Sequence, residues 1–128
     1  MSSQQWTLAH VPKALPVLDT TTPLCCPPLA ANPVDEKTAL QIALRLKALA
    51  DPIRVRLFSL ILSAAGGEAC NCDMAAVVGL SDATVSHHLK ALREAGLIVG
   101  ERRGTWVYYT PVRDALGALA RVLDPACC

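Results

Sequence analysis

The chain has 128 residues, 52% of them hydrophobic and 18% charged, with a formal net charge of +1. That length holds one domain with a small core that gains from oligomerisation, and the near-neutral charge gives no global pull toward nucleic acid. No apolar run approaches a membrane span, and Pro12 and Pro16 interrupt the basic-then-apolar pattern of a signal peptide, so a cytoplasmic protein with reduced thiols is expected.

Taken in chain order, residues 1–33 carry Pro12, Pro16, Pro23, Pro27, Pro28 and Pro33 around the tract Thr20-Thr21-Thr22, which precludes regular helix and predicts an extended arm bearing Cys25 and Cys26. From Val34 the character changes. Ala39, Ile42, Ala43, Leu46, Leu49 and Ala50 recur at helical spacing, predicting a helix that ends near Asp51-Pro52. Asp51 then caps a second helix with Pro52 in its first turn and Ile53, Leu57, Leu60 and Ile61 as its buried stripe. Gly66-Gly67 stops it, and a short helix over Cys72–Val78 closes at Gly79. Ser81 caps a further helix that runs to Ala95 and closes at Gly96, with Val85, His88, Leu89 and Leu92 facing inward.

Leu97–Arg102 and Thr105–Tyr109 read as two strands turning near Arg103-Gly104, and Pro111 opens a last helix over Val112–Leu123. Residues 34–123 therefore form the folded unit, and residues 124–128 a tail ending in Cys127-Cys128. A helix-turn-helix followed by a hairpin is the winged-helix plan: mainly α with a small β-hairpin.

A Gly-containing turn at Gly79-Leu80-Ser81 sets two helices at a steep angle, so that the second enters a major groove by its N-terminal end. Its outward residues Ser81, Asp82, Thr84, Ser86, His87 and Lys90 are candidate contacts to double-stranded DNA, and Arg102 and Arg103 sit where a wing lies beside the phosphates. The alternative is an amphipathic helix with ordinary surface polar residues, since a helix-turn-helix pattern alone is weakly specific. His88 shares the inward face and reads as a packed structural histidine. Asp82 is repelled by phosphate; it serves either a cytosine amino group or the helix cap.

Six cysteines fall in three close pairs: Cys25-Cys26, Cys70-x-Cys72 and Cys127-Cys128. In a reducing compartment such pairs read as metal ligands or redox switches rather than staples. Cys70 and Cys72 stand at the start of the short helix, where the helix N-terminus is expected to favour thiolate. Thiolates select soft ions. Taken alone, a Cys-x-Cys is equally well read as two buried structural thiols.

Leu49-Ala50-Asp51-Pro52-Ile53-Arg54, Glu68-Ala69-Cys70-Asn71-Cys72-Asp73-Met74, Ser86-His87-His88-Leu89-Lys90 and Gly96-Leu97 together resemble, in order and spacing, the ArsR/SmtB family of metal-sensing repressors, over about residues 36 to 123. The resemblance implies a homodimeric winged helix that binds a palindromic operator without metal and leaves it when metal binds. Asp82 departs from the Gln this family often shows, which bears on sequence preference. Arsenic sensors of the family often carry a similar Cys-x-Cys segment, sometimes with a third cysteine three residues on, where this chain has Ala75. Two thiolates cannot complete the three-sulfur pyramid of arsenite. Family members with N-terminal cysteines point to Cys25 and Cys26 as the source, the arm of one subunit reaching the Cys-x-Cys of its partner.

The metal ligands expected are Cys70, Cys72, Cys25 and Cys26, three thiolates suiting As(III) or Sb(III) and four suiting Cd(II) or Pb(II). Cys127 and Cys128 are either a mobile terminus, a source of a third ligand or a second site. The zinc site some members carry on the last helix needs Asp and His; Val112–Leu123 offers Asp114 but no histidine. A thiol redox switch is the further alternative. With no Cys-x-x-Cys in a strand-helix context, no paired carboxylates and no phosphate loop, enzymatic chemistry is not expected.

Overall fold

The structure, a computed structural model, describes Leu29 and residues 32–125. Cys25, Cys26, Cys127 and Cys128, and the expected arm and tail around them, lie outside the described residues. The element order is α1 (Glu36–Leu49), α2 (Pro52–Leu62), a single 3-10 turn, β1 (Ala69–Cys70), α3 (Asn71–Val78), α4 (Asp82–Glu94), β2 (Ile98–Arg103), β3 (Trp106–Pro111) and α5 (Arg113–Leu123).

Caps written in the sequence set the helix boundaries. Asp35 accepts from the Thr38 N–H at 2.8 Å, so α1 begins at Glu36. Asp51 accepts from the N–H groups of Ile53 and Arg54 at 2.8 and 3.2 Å, with Pro52 in the first turn of α2. These bonds, the one from Arg54 foremost, hold the Asp51 carboxyl below its ordinary pKa. Gly79 ends α3 at φ 73°, in the left-handed region that lets the chain turn sharply into α4, and its N–H returns to Ala75 O at 2.9 Å.

The core joins α2, α3, α4 and the sheet through Leu57, Ile61, Met74, Val85, Leu89, Leu92, Leu97 and Ile98. Val85, Leu89 and Leu92 are each 0% exposed, as the inward face expected of α4 requires. A second cluster ties Ile42 of α1 to Ala118, Leu119 and Val122 of α5. The stripe expected on α1 is only partly covered: Ile42 is buried, Leu46 and Leu49 are half-buried, and Ala39, Ala43 and Ala50 are exposed. Alanine sits in helices for its backbone propensity as readily as for burial.

The sheet has three strands, in the order β1-β3-β2, where two were expected. β1 adds to β3 through Ala69↔Tyr109 and Cys70↔Tyr108. The hairpin strands lie one residue or so later than expected, and Pro111 ends β3 instead of opening the last helix. Val112 N donates to Leu97 O at 2.8 Å there, which delays α5 to Arg113. Among the described residues no helix is long and apolar enough to cross a membrane.

Candidate metal centre and nucleic-acid interface

Cys70 ends β1 and occupies the N-cap of α3, which starts at Asn71, one residue earlier than expected, so that Cys72 is the second residue of its first turn. The β-conformation of Cys70 followed by helix at Asn71 folds the two side chains toward each other, with 2.7 Å between the Sγ atoms. Cys70 is 4% exposed and Cys72 half-buried. Both are free thiols, close enough for one ion to bond both. The single hydrogen of Cys70 Sγ has Asn71 Oδ1, at 3.6 Å, as an acceptor besides Cys72 Sγ, and that of Cys72 has Asp73 Oδ1, at 3.8 Å, besides Cys70 Sγ. Among the described residues no group of three or more His, Cys, Asp or Glu could hold a metal ion, and Cys70 and Cys72 bring together two candidate ligands. A groove of about 420 Å³ opens beside Cys70 and is lined by Leu60, Glu68, Asp73, Met74, Val77 and Tyr108 among others.

The expectation that the helix N-terminus favours thiolate is corrected at Cys72. Its thiol is pushed up to about 11, first by the hydrogen bond with Cys70, then by burial and by the negative charges of Cys70 and Asp73. A neighbouring sulfur 2.7 Å away outweighs the dipole of an eight-residue helix. The Cys72 proton therefore stays on sulfur at neutral pH until a ligand displaces it.

α4 presents the other candidate residues. Ser81, Asp82, Thr84, Ser86, His87 and Lys90 are all exposed on the face opposite the core. Of the two roles open to Asp82, the cap is taken: Ser81 Oγ accepts from Thr84 N at 3.2 Å, and Asp82 lies in the first turn. His88 is half-buried and its Nδ1 accepts from Arg54 Nε at 3.2 Å, which ties α4 to α2 as a structural histidine would.

At the wing the two arginines part company. Arg102 is exposed and, like Lys90, has no ion-pair partner among the described residues. Arg103 grips Glu68 with both terminal nitrogens, bonds Glu101 as well, and stacks 4.6 Å over the Tyr108 ring. The Arg103 bond holds the Glu68 carboxyl below its ordinary pKa, and the two carboxylates raise that of Arg103. Two carboxylates already match its charge, so the geometry brings only Arg102 free to the wing tip. The Glu68–Arg103 pair and the role of Asn71, whose Oδ1 accepts from Val107 N at 3.3 Å, were missed in the sequence. They span 35 and 36 residues and leave no local pattern.

A model of the arsR family of bacterial regulatory proteins matches residues 51–99, from the cap of α2 into β2. The putative arsenical resistance operon repressor ArsR2 of Halobacterium salinarum is 36% identical over 108 residues, which cover 84% of this chain and 87% of that protein. The arsenic resistance transcriptional regulator ArsR1 of Pseudomonas putida is 46% identical over 63 residues, 49% of this chain; the chain spans only 48% of that relative's length. Among solved structures, the homodimeric winged helix-turn-helix DNA-binding domain of a possible ArsR-family regulator from Mycobacterium bovis is similar at 35% identity and a TM-score of 0.56, over 72% of this chain and 85% of that one. The identity to ArsR2 extends over nearly all of both chains, and the fold is that of the winged helix: this chain belongs to the arsR family of bacterial regulatory proteins.

Proposed function

We propose that the chain is a metalloid-responsive transcriptional repressor that binds operator DNA as a metal-free homodimer and leaves it when arsenite or antimonite bonds to its cysteines. The observation that carries this reading is the pair of free thiols 2.7 Å apart at the entrance of α3, the helix that turns directly into α4. α4 would enter the major groove through Ser81, Asp82, Thr84, Ser86, His87 and Lys90, with Arg102 on the flanking phosphates and Arg103 bracing the wing. Cys70 and Cys72 give two sulfurs; Cys25 or Cys26, from the arm over residues 1–33, gives the third. The reaction is a ligand exchange without redox change: arsenous acid and three thiols give an As–S₃ centre and three waters. Residues 34–123 act as the DNA-binding and dimerisation unit.

Closing the arm onto α3 favours a dimer whose recognition helices fit the operator poorly. A coupling of about 1–3 kcal/mol weakens binding roughly 5–150-fold. Replacing Cys70 and Cys72 together by Ser should leave operator binding intact and abolish release by arsenite; a double variant that still dissociates would place the site elsewhere. Cd(II) or Pb(II), held by four thiolates, is the second reading, favoured by the number of paired cysteines. The same release assay run with cadmium, lead and peroxide separates these and a thiol redox response.

A further inference from the structure

Residues 68 to 71 are each fastened to a different wing residue. Glu68 holds Arg103, Ala69 pairs with Tyr109, Cys70 pairs with Tyr108, and the Asn71 side chain receives the Val107 N–H. The segment bearing the thiols is thus a strand of the wing as well as the entrance of α3. Three of these links are indifferent to what happens at sulfur. The fourth is not. Asn71 stands between the two cysteines, and its single Oδ1 accepts from two donors, Cys70 Sγ at 3.6 Å and Val107 N at 3.3 Å.

We propose that Asn71 is the positioning residue through which the wing responds to the chemical state of Cys70. This rests on the reading of Cys70 and Cys72 as thiol ligands. When Cys70 bonds to arsenic, its S–H bond breaks and an S–As bond forms, the proton leaving with hydroxide as water. The sulfur then keeps lone pairs and has no hydrogen to donate. An amide oxygen facing it is repelled, whereas the amide NH₂ is a suitable donor, so Asn71 turns. The turn withdraws Oδ1 from Val107 and leaves a part-buried wing N–H unpaired, which is unfavourable until β3 shifts or water enters. The Glu68–Arg103 pair and the β1–β3 pairing keep the segment docked meanwhile, so the change is taken up by the wing rather than by the segment lifting away.

The test uses the full chain and its Asn71→Ala and Asn71→Asp variants. Ala removes both bonds; Asp retains an acceptor for Val107 but has no donor to offer sulfur. Amide exchange at Val107, followed by ¹⁵N NMR without DNA, should quicken about tenfold or more when arsenite is added to the parent chain. It should be fast and insensitive in the Ala variant, slow and insensitive in the Asp variant. Both variants should consume the same number of thiols per arsenite as the parent, while arsenite-induced operator release shrinks about tenfold, toward no coupling. Unchanged Val107 exchange in the parent despite consumed thiols, or full release in both variants, overturns the proposal. If arsenite consumes no thiol, the proposed inducer is wrong, and the Val107 measurement with cadmium decides the role of Asn71 by itself. Should neither ion touch the thiols, both readings fall together.

Discussion

Gly100 offers a perturbation whose size follows from distances. It lies in β2 opposite Tyr109, and an added Cβ would stand 2.9 Å from Tyr109 Cε1, 3.3 Å from Cδ1 and 3.3 Å from Val107 Cγ1. Carbon atoms rest about 3.5–4.0 Å apart, so the ring has to move by roughly 0.6–1 Å. Tyr109 is 6% exposed and packed in the main core, which leaves little room. Overpacking of this kind costs about 1–3 kcal/mol. Gly→Ala also restricts the unfolded chain and returns about 0.4–1 kcal/mol. Gly100 is not among the glycines with positive φ, so no backbone strain confuses the comparison. Gly100→Ala should therefore be net destabilising by about 1–2 kcal/mol, measured by urea unfolding at fixed protomer concentration. In a Tyr109→Val background the ring is gone, and the same Ala should be neutral or slightly stabilising. A penalty that persists undiminished in that background would refute the steric argument.

Three further outcomes are expected. Ser81→Ala removes the side-chain acceptor of the Thr84 N–H and should destabilise by about 1 kcal/mol, with Ser81→Asn restoring most of it in the same unfolding assay. Lys90→Ala and Arg102→Ala, each removing one phosphate contact per protomer, should each lower the slope of log operator affinity against log salt by about 2 for the homodimer, whereas Arg103→Ala, whose charge is matched by Glu68 and Glu101, should change the slope much less. With its thiol pushed up to about 11, Cys72 enters the reaction protonated at pH 7: calorimetry in two buffers should find its proton released to the buffer and affinity rising with pH for cadmium, whereas with arsenous acid that proton leaves with a hydroxide as water. The sign for folding follows too. The folded state holds this proton more tightly than the unfolded chain, so stability falls as pH rises from about 9.0 toward 11.

Much of the architecture could be read in advance because it rests on local chemistry. Asp51-Pro52, Ser81 and Gly79 act within four residues of themselves, and the inward face of α4 is a 3.6-residue period carried by Val85, Leu89 and Leu92. Cys70 and Cys72 were placed at the entrance of α3 by the same means. β1 was not legible, since two residues have no periodicity and its existence depends wholly on the partner edge of β3. The pairing of Arg103 was not legible for a related reason: its basic charge and hairpin position suggest phosphate, and the Glu68 it holds lies 35 residues away. The raised thiol pKa likewise depends on a sulfur–sulfur distance that only the fold sets.

The strand order β1-β3-β2 has a consequence for crowding. β3 pairs along its length with β2, and on its other side β1 covers Tyr108 and Tyr109, which leaves only short stretches of that edge to another chain. One outer edge, β1, is two residues long and runs straight into a helix. The other, β2, is the long one, and it carries Glu101, Arg102 and Arg103 together. Unpaired backbone groups on a long strand invite addition of a second sheet, and a dense run of charge on the edge opposes it. Molecules brought side by side on neighbouring binding sites can thus stand close without their wings zipping into a shared sheet.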